Sequence, residues 1–351
     1  MNLPAKTIIA SLGALAVFVI GVAAMPQPLQ LSDRTLGDPE LLTEVRAHIA
    51  ATPGARDRLS VAVIDGESLR VAHFGASDTT EYEIGSVTKT ITAALLADAI
   101  ARGEVEANTH LGSILNLGSS PSSALTLEEL ATQSSGLPRV AMSLDKLPSI
   151  LVALVLSRDP YGSTLEELIA DARDVHVGGK AYRYSNLGFA LLGQALAKKA
   201  GTPFPTLAEE RIFRPLGMES SYVPMSKNDL RDGAPSGYTS SGRATDPWTL
   251  GADAPAGSAR STLPDMTDYI RAYMDGTAPG IGATEPRRPA GARSRIGYGW
   301  HITGEVTWHN GMTGGFASWI GFDRGADRAV VILTNTSNSV DSLGLSLMGA
   351  E

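Results

Sequence analysis

The sequence predicts an α+β protein: one antiparallel sheet built from both chain ends, flanked by helices, with an inserted and mostly helical lobe. Three observations carry this. Short β-rich runs occur at residues 59–74 and again at 298–335. Between them, residues 104–262 read mainly as helices with long loops. No internal repeat is visible, so the simplest way to bury both strand groups is to pair them in one sheet.

Taken in order, residues 26–37 read as a linker. Asp38 is placed to cap a helix whose Leu41, Leu42, Val45 and Ile49 share one face and which ends before Pro53-Gly54. Residues 59–65 and 69–74 are strand-like and are joined through Gly66-Glu67-Ser68, a hairpin signature. A helix follows Val87, with Ile91, Ala94, Leu95 and Ala99 at helical spacing and Gly103 as its stop. Thr126-Leu127-Glu128-Glu129 is a capping box for a short helix that halts at Gly136-Leu137-Pro138. Ser163-Thr164-Leu165-Glu166-Glu167 begins another helix. Residues 186–200 form a third, closed by Gly201, and residues 264–274 one more. The period then changes to short strands at 298–303, 306–309, 317–322 and 329–335, before a terminal helix at 340–348. These elements make one domain over residues 38–351. Its α/β lobe takes about 38–80 plus 262–351, its helical lobe about 81–261, and a cleft between them is the natural site.

The chain has 351 residues, 43% of them hydrophobic and 19% charged, which suits a globular protein with a substantial core. A net charge of −8, with basic residues only in short pairs such as Lys198-Lys199, argues against nucleic-acid binding. Residues 7–24 are uncharged and mostly apolar, follow Lys6, and end in Val22-Ala23-Ala24. Residues 1–25 therefore read as an export signal or an uncleaved membrane anchor. Either places the domain outside the cytoplasm: secreted, periplasmic or held on the outer face of the membrane. With no cysteine there is neither a disulfide framework nor a thiolate nucleophile.

The chemistry centres on Glu83-Ile84-Gly85-Ser86-Val87-Thr88-Lys89-Thr90. Ser86 falls at a helix start, where backbone N–H groups are free, and Lys89 follows one turn later on the same face. Such a serine can attack a carbonyl while the lysine takes its proton, or it can simply cap the helix. Spacing alone does not choose, because Ser143-Leu144-Asp145-Lys146 repeats it. There is no Gly-x-Ser-x-Gly elbow, no His-Glu-x-x-His and no phosphate-binding glycine loop, and the six histidines lack metal-ligand spacing. Neither metal nor cofactor is expected.

Two later segments complete a pattern. Tyr182-Arg183-Tyr184-Ser185-Asn186 precedes a helix, and Trp308-His309-Asn310-Gly311-Met312-Thr313-Gly314-Gly315 lies on a strand. With Ser86-x-x-Lys89, the set Tyr184-x-Asn186 and His309-x-Gly311 resembles, in order, the three motifs of the serine β-lactamase and DD-peptidase superfamily. The nearest likeness is its class C β-lactamase and D-alanyl-D-alanine carboxypeptidase branch. Residues 130–138, 212–218 and Pro255-Ala256-Gly257 also look like that branch, so the likeness covers most of the chain after Asp38.

The resemblance implies the serine β-lactamase/penicillin-binding-protein fold and an acyl-enzyme on Ser86, with Lys89 and Tyr184 sharing the proton traffic. Tyr184 is a base only if positive charge, such as that of Lys89, favours its phenolate. Asn186 would hold Lys89 and the acyl-side amide of the substrate, or cap its helix. The backbone N–H groups of Ser86 and Met312 would form the oxyanion hole, and Gly311, Gly314 and Gly315 would keep the strand bare for an extended substrate. His309 stands where lysine is usual. It would bind a substrate carboxylate as a cation, or donate a hydrogen bond as the neutral ring. Asn310 departs from the usual threonine or serine. The implied substrates are β-lactams or peptidoglycan-type D-alanyl peptides, with an esterase or a non-hydrolysing penicillin-binding sensor as alternatives. A monomer is expected, with membrane association only through the N-terminal segment.

Overall fold

The computed structural model describes residues 29–141 and 157–350. The expected export segment and the Ser143–Lys146 spacing lie outside them. Elements are named in chain order as β1 (Thr35–Gly37), α1 (Pro39–Ala50), β2 (Leu59–Asp65), β3 (Ser68–Phe74), β4 (Tyr82–Glu83), α2 (Thr88–Ala101), α3 (Leu127–Ala131), α4 (Leu165–Asp174), α5 (Asn186–Ala200), α6 (Phe204–Ala208) and β5 (Arg260–Ser261). They continue with α7 (Leu263–Met274), β6 (Arg288–Pro289), β7 (Ser294–Ile296), β8 (His301–Thr303), β9 (Val306–Met312), β10 (Ala317–Asp323), β11 (Arg328–Thr334) and α8 (Asp341–Leu347).

Both chain ends do build one antiparallel sheet. Among the described residues its order is β1-β3-β2-β11-β10-β9-β8-β7-β6, and the ends meet where β2 pairs with β11 from Leu59↔Thr334 to Asp65↔Arg328. Side chains alternate across a strand, so each central strand feeds two cores. Val61 and Val63 pack with Leu41, Val45, Leu343 and Leu347 under α1 and α8. Ala62 and Ile64 face the other way, towards Met266, Tyr269 and Ile270 of α7 and the helical lobe.

Helix starts follow the expected chemistry. Asp38 accepts from Leu41 N–H, and Thr126 and Thr164 each close a capping box. α5 spans Asn186–Ala200 and stops at Gly201 as expected, without the cap role weighed for Asn186. Its cap is Ser185, whose side chain accepts from Gly188 N–H, so Asn186 is already the first helical residue and its side chain is released for other contacts. α2 is buried on nearly every side, from Thr88 through Leu96, and forms the axis on which the two lobes pack.

Three strand pairs were illegible, one of them β6 with β7 at residues 288–296, ahead of the first strand expected in this part of the chain. Residues 35–37, expected within a linker, form edge strand β1 against β3, and Asp38 N–H donates to Val71 C=O at 2.7 Å. All three side chains are exposed, so no apolar alternation marks them. The two-residue pair β4–β5 is likewise too short to show a period, yet it ties the segment before Ser86 to the segment before α7. No helix among the described residues is long and apolar enough to cross a membrane.

Candidate active site

Ser86 sits in a tight turn, Gly85–Val87, that leads directly into α2. Three sets of bonds hold that turn. Ile84 C=O accepts from Ser318 Oγ of β10 at 2.8 Å, Ile84 N–H donates to Ala259 C=O at 3.0 Å, and Thr88 Oγ1 donates to Gly85 C=O at 2.7 Å. Gly85 has φ +50°, and a Cβ there would lie 2.6 Å from Met312 N, so only glycine lets the turn lie this close to β9.

The regular register of β9 on β10 continues into a bond from Thr313 N–H to Phe316 C=O at 3.0 Å. Antiparallel pairs alternate, so the amides of Asn310 and Met312 turn away from β10. β8 pairs only as far as Trp308, leaving this part of β9 an open edge beside Ser86. The Met312 side chain is exposed at its end.

Gly311 also lies at this contact, but for a reason other than the one expected. A Cβ on Gly311 would meet Ile84 O at 2.0 Å, one on Gly314 would meet the Trp248 indole at 2.7 Å, and one on Gly315 would meet Thr245 Oγ1 at 2.2 Å. The space these glycines leave is filled by the protein itself. They dock the serine turn and neighbouring loops on the sheet and do not bare the strand for a substrate.

Lys89 is fully buried, with Nζ 3.0 Å from Ser86 Oγ and donating to Ala256 C=O at 2.5 Å. Burial pushes its pKa well down and the Arg139 charge adds to this, so the amine is held towards its neutral form. Nζ also lies 4.9 Å from the centroid of the Tyr184 ring. The Tyr184 phenol is pushed up by burial, against smaller opposing effects from its hydrogen bond to Ser86 and from Arg139. Both shifts favour the uncharged amine and phenol, opposite to the lysine cation and phenolate required for Tyr184 to act as a base.

Asn186 does not hold Lys89. Its Nδ2 donates to Tyr161 Oη at 3.0 Å, and its Oδ1 is buried without a partner. His309 is almost fully buried. Nδ1 lies 2.5 Å from Asn310 C=O and so carries the proton, which leaves Nε2 an acceptor. Burial, then the neighbouring His301 and Lys89, push its pKa well down despite that bond. His301, 5.3 Å away between ring centroids, is lowered by burial to about 4. The cationic role expected of His309 is therefore unavailable near neutral pH, and its one ring N–H is spent on the backbone. Asn310 points to the opposite face, where Nδ2 donates to Asp341 of α8 at 2.9 Å.

Several residues at the site carried no motif. Gln133, with φ +55°, accepts Arg183 N–H on its backbone oxygen and Ser185 N–H on Oε1, both at 2.7 Å, and so clamps Tyr184 from each side. Arg139 C=O accepts the N–H groups of Asn186 and Leu187, and its guanidinium lies 5.3 Å from the Tyr184 ring centroid. Glu83 Oε1 binds Arg260 at 2.9 Å and Trp248 N–H at 3.0 Å. Burial, opposed by Arg260 and then Thr313, sets its pKa at about 6. Only Gln133 and Arg139 had a signal within reach, namely their place in the 130–138 segment and its flank. No group of residues suited to a metal ion occurs among the described residues.

A serine–lysine–tyrosine cluster with its lysine buried, at the seam between an antiparallel sheet and a helical lobe, is the arrangement of the serine hydrolases built on the β-lactamase/penicillin-binding-protein fold. Two solved structures share that fold: a β-lactamase/D-alanine carboxypeptidase from Pseudomonas syringae (TM-score 0.73, 17% identity, 88% of this chain and 97% of that one) and a class C β-lactamase from Rhodobacter sphaeroides (TM-score 0.72, 19% identity, 86% and 95%). The family model described as Beta-lactamase matches residues 45–345, and the chain belongs to that family. Similar curated proteins include Beta-lactamase-like protein 2 of Dictyostelium discoideum (29% identity, 55% of this chain and 35% of that protein). Others are the D-alanyl-D-alanine-carboxypeptidase/endopeptidase AmpH of Escherichia coli K12 (32%, 40% and 36%) and a Beta-lactamase of Providencia stuartii (31%, 48% and 43%). The matched stretches span well under half the length of these three relatives.

Proposed function

We propose that the protein is an extracytoplasmic serine hydrolase that forms an acyl-enzyme on Ser86. The observation that carries this reading is Lys89 Nζ, 3.0 Å from Ser86 Oγ in surroundings that hold the amine neutral. A neutral amine accepts a proton, and a lysine cation does not. Ser86 Oγ attacks the substrate carbonyl as its proton passes to Lys89. Tyr184, as the phenol, relays a proton between the amine and the leaving group. The backbone N–H groups of Ser86 and Met312 take the charge that develops on the carbonyl oxygen, a contribution worth roughly 3–4 kcal/mol per donor. The leaving group departs protonated, and water then cleaves the Ser86 ester, releasing the acid and restoring the serine.

For the substrate we propose D-alanyl peptides or β-lactams, a reading supported by the names of the AmpH and Providencia relatives. One observation favours a second reading, ester hydrolysis. His309 offers no charge and no free N–H where a leaving-side carboxylate would be bound. The apolar run at residues 7–24 supports action outside the cytoplasm.

Intact mass after mixing with penicillin, beside Ser86→Ala, is the test. A Ser86-dependent adduct that persists marks a penicillin-binding protein, and rapid return to free enzyme with product marks a β-lactamase. Ester turnover that needs Ser86, with no adduct, selects the second reading. Equal labelling of Ser86→Ala refutes the nucleophile.

A further inference from the structure

The leaving-group side of the site lacks a cation, but the other side has one. Arg139 lies in the loop after α3 and is held there by its own carbonyl, which accepts the first two N–H groups of α5 at 2.8 and 3.2 Å. Its side chain is exposed, with Cζ 5.3 Å from the Tyr184 ring centroid. Among the described residues its guanidinium has no carboxylate within ion-pair distance and donates no hydrogen bond. The nearby acids are already engaged. Asp159 accepts from Tyr161, Thr249 and Leu250 N–H groups, and Asp253 accepts from Ser163 Oγ. A guanidinium over the Tyr184 ring with no carboxylate partner among the described residues presents a planar set of donors that matches a carboxylate. Beside it, Asn186 Oδ1 is buried without a partner, an acceptor suited to an amide N–H on the same part of a substrate.

We infer that Arg139 is a specificity-determining residue that binds a carboxylate on the acyl side of the substrate, so that, in the ester-hydrolysis reading, the protein selects anionic acyl donors. This rests on the Ser86 acyl-enzyme reading and adds the substrate class to it. Two observations support it. Arg139 is a cation whose charge reaches both Lys89 and Tyr184, and the two histidines across the site, His301 and His309, are neutral.

The test compares 4-nitrophenyl hydrogen adipate with 4-nitrophenyl hexanoate, which differ only in the distal acyl carboxylate. 3-Carboxyphenyl hexanoate serves as the leaving-side control. Wild type is expected to favour the adipate in kcat/KM by about tenfold, mainly through KM, with the preference shrinking at high salt. Arg139→Gln abolishes the preference, and Arg139→Lys keeps part of it. Equal use of adipate and hexanoate by wild type, a preference surviving in Arg139→Gln, or a preference for the leaving-side carboxylate overturns the proposal. If no ester is turned over through Ser86, the ester reading fails, and calorimetry still decides the specificity. Adipate binding tighter than adipamide in wild type but not in Arg139→Gln supports the anion site, and equal binding overturns it.

Discussion

Gly311→Ala tests whether the closeness of the serine turn to β9 is what makes the site competent. The new Cβ would lie 2.0 Å from Ile84 O and 2.4 Å from Ser318 Oγ, where ordinary contact begins at about 3.4 Å. Relieving the first contact therefore takes about 1.4 Å of movement between β9 and the turn that carries Ser86. Ile84 O cannot retreat freely, because it already accepts from Ser318 Oγ. The movement falls on the two amides assigned to the oxyanion hole. A misplacement of about 1 Å costs roughly 100-fold, and loss of one donor 100- to 1000-fold. We expect kcat to fall in that range with KM changed little, and stability to drop by about 1–3 kcal/mol from overpacking. The assay is single-turnover acylation alongside thermal melting, with Gly282→Ala as a control, since a Cβ there meets nothing within 4 Å. A folded Gly311→Ala protein that acylates within a few-fold of wild type refutes the reasoning.

Tyr184→Phe should fold normally and acylate slower by about two orders of magnitude or more, as a lost proton relay requires; near-normal rates remove it from the mechanism. In the proposed mechanism Lys89 works as the neutral amine, so kcat/KM should fall as pH drops through its lowered pKa and level off above it; a rate that keeps climbing into the range where phenols ionise would point to the phenolate. Gln133→Ala leaves buried Ser185 N–H unpaired, so we expect a loss of about 2 kcal/mol in denaturant melts, with kcat lowered more than KM is raised; unchanged stability would show that the clamp is not needed. His301 remains neutral in the folded protein down to about pH 4, whereas in the unfolded chain it takes up a proton near 6.5. Stability should therefore decline as pH falls through that window, by up to about 3 kcal/mol, and the decline should flatten in His301→Asn.

The fold was legible where burial imposes a period. The β-rich runs at residues 59–65 and 69–74, the capping boxes at Thr126 and Thr164, and the glycine stop at Gly201 are local signals that tertiary structure did not override. β1, β4, β5, β6 and β7 escaped because two or three residues are too few to display a period. In the site, order and type of residue singled out Ser86, Lys89 and Tyr184, which the structure brings together, but the protonation alternatives stayed open, because charge state depends on desolvation rather than on neighbours in sequence. Burial decides against both the phenolate that Tyr184 needs as a base and the cationic alternative for His309. Glycine illustrates the same limit: the sequence marks Gly311 as special but cannot say that Ile84 O fills the space beside it.

Pairing of β2 with β11 sets an order of assembly. The serine turn leaves the ribosome more than two hundred residues before Met312, the strand residue it docks against. Strand pairing over such a separation closes late, after the loop entropy has been overcome. A nascent or truncated chain ending short of β9 holds Ser86 and Lys89 with no second amide beside them. Hydrolytic competence therefore arises in a single step with the last strands, and incomplete chains should be inert.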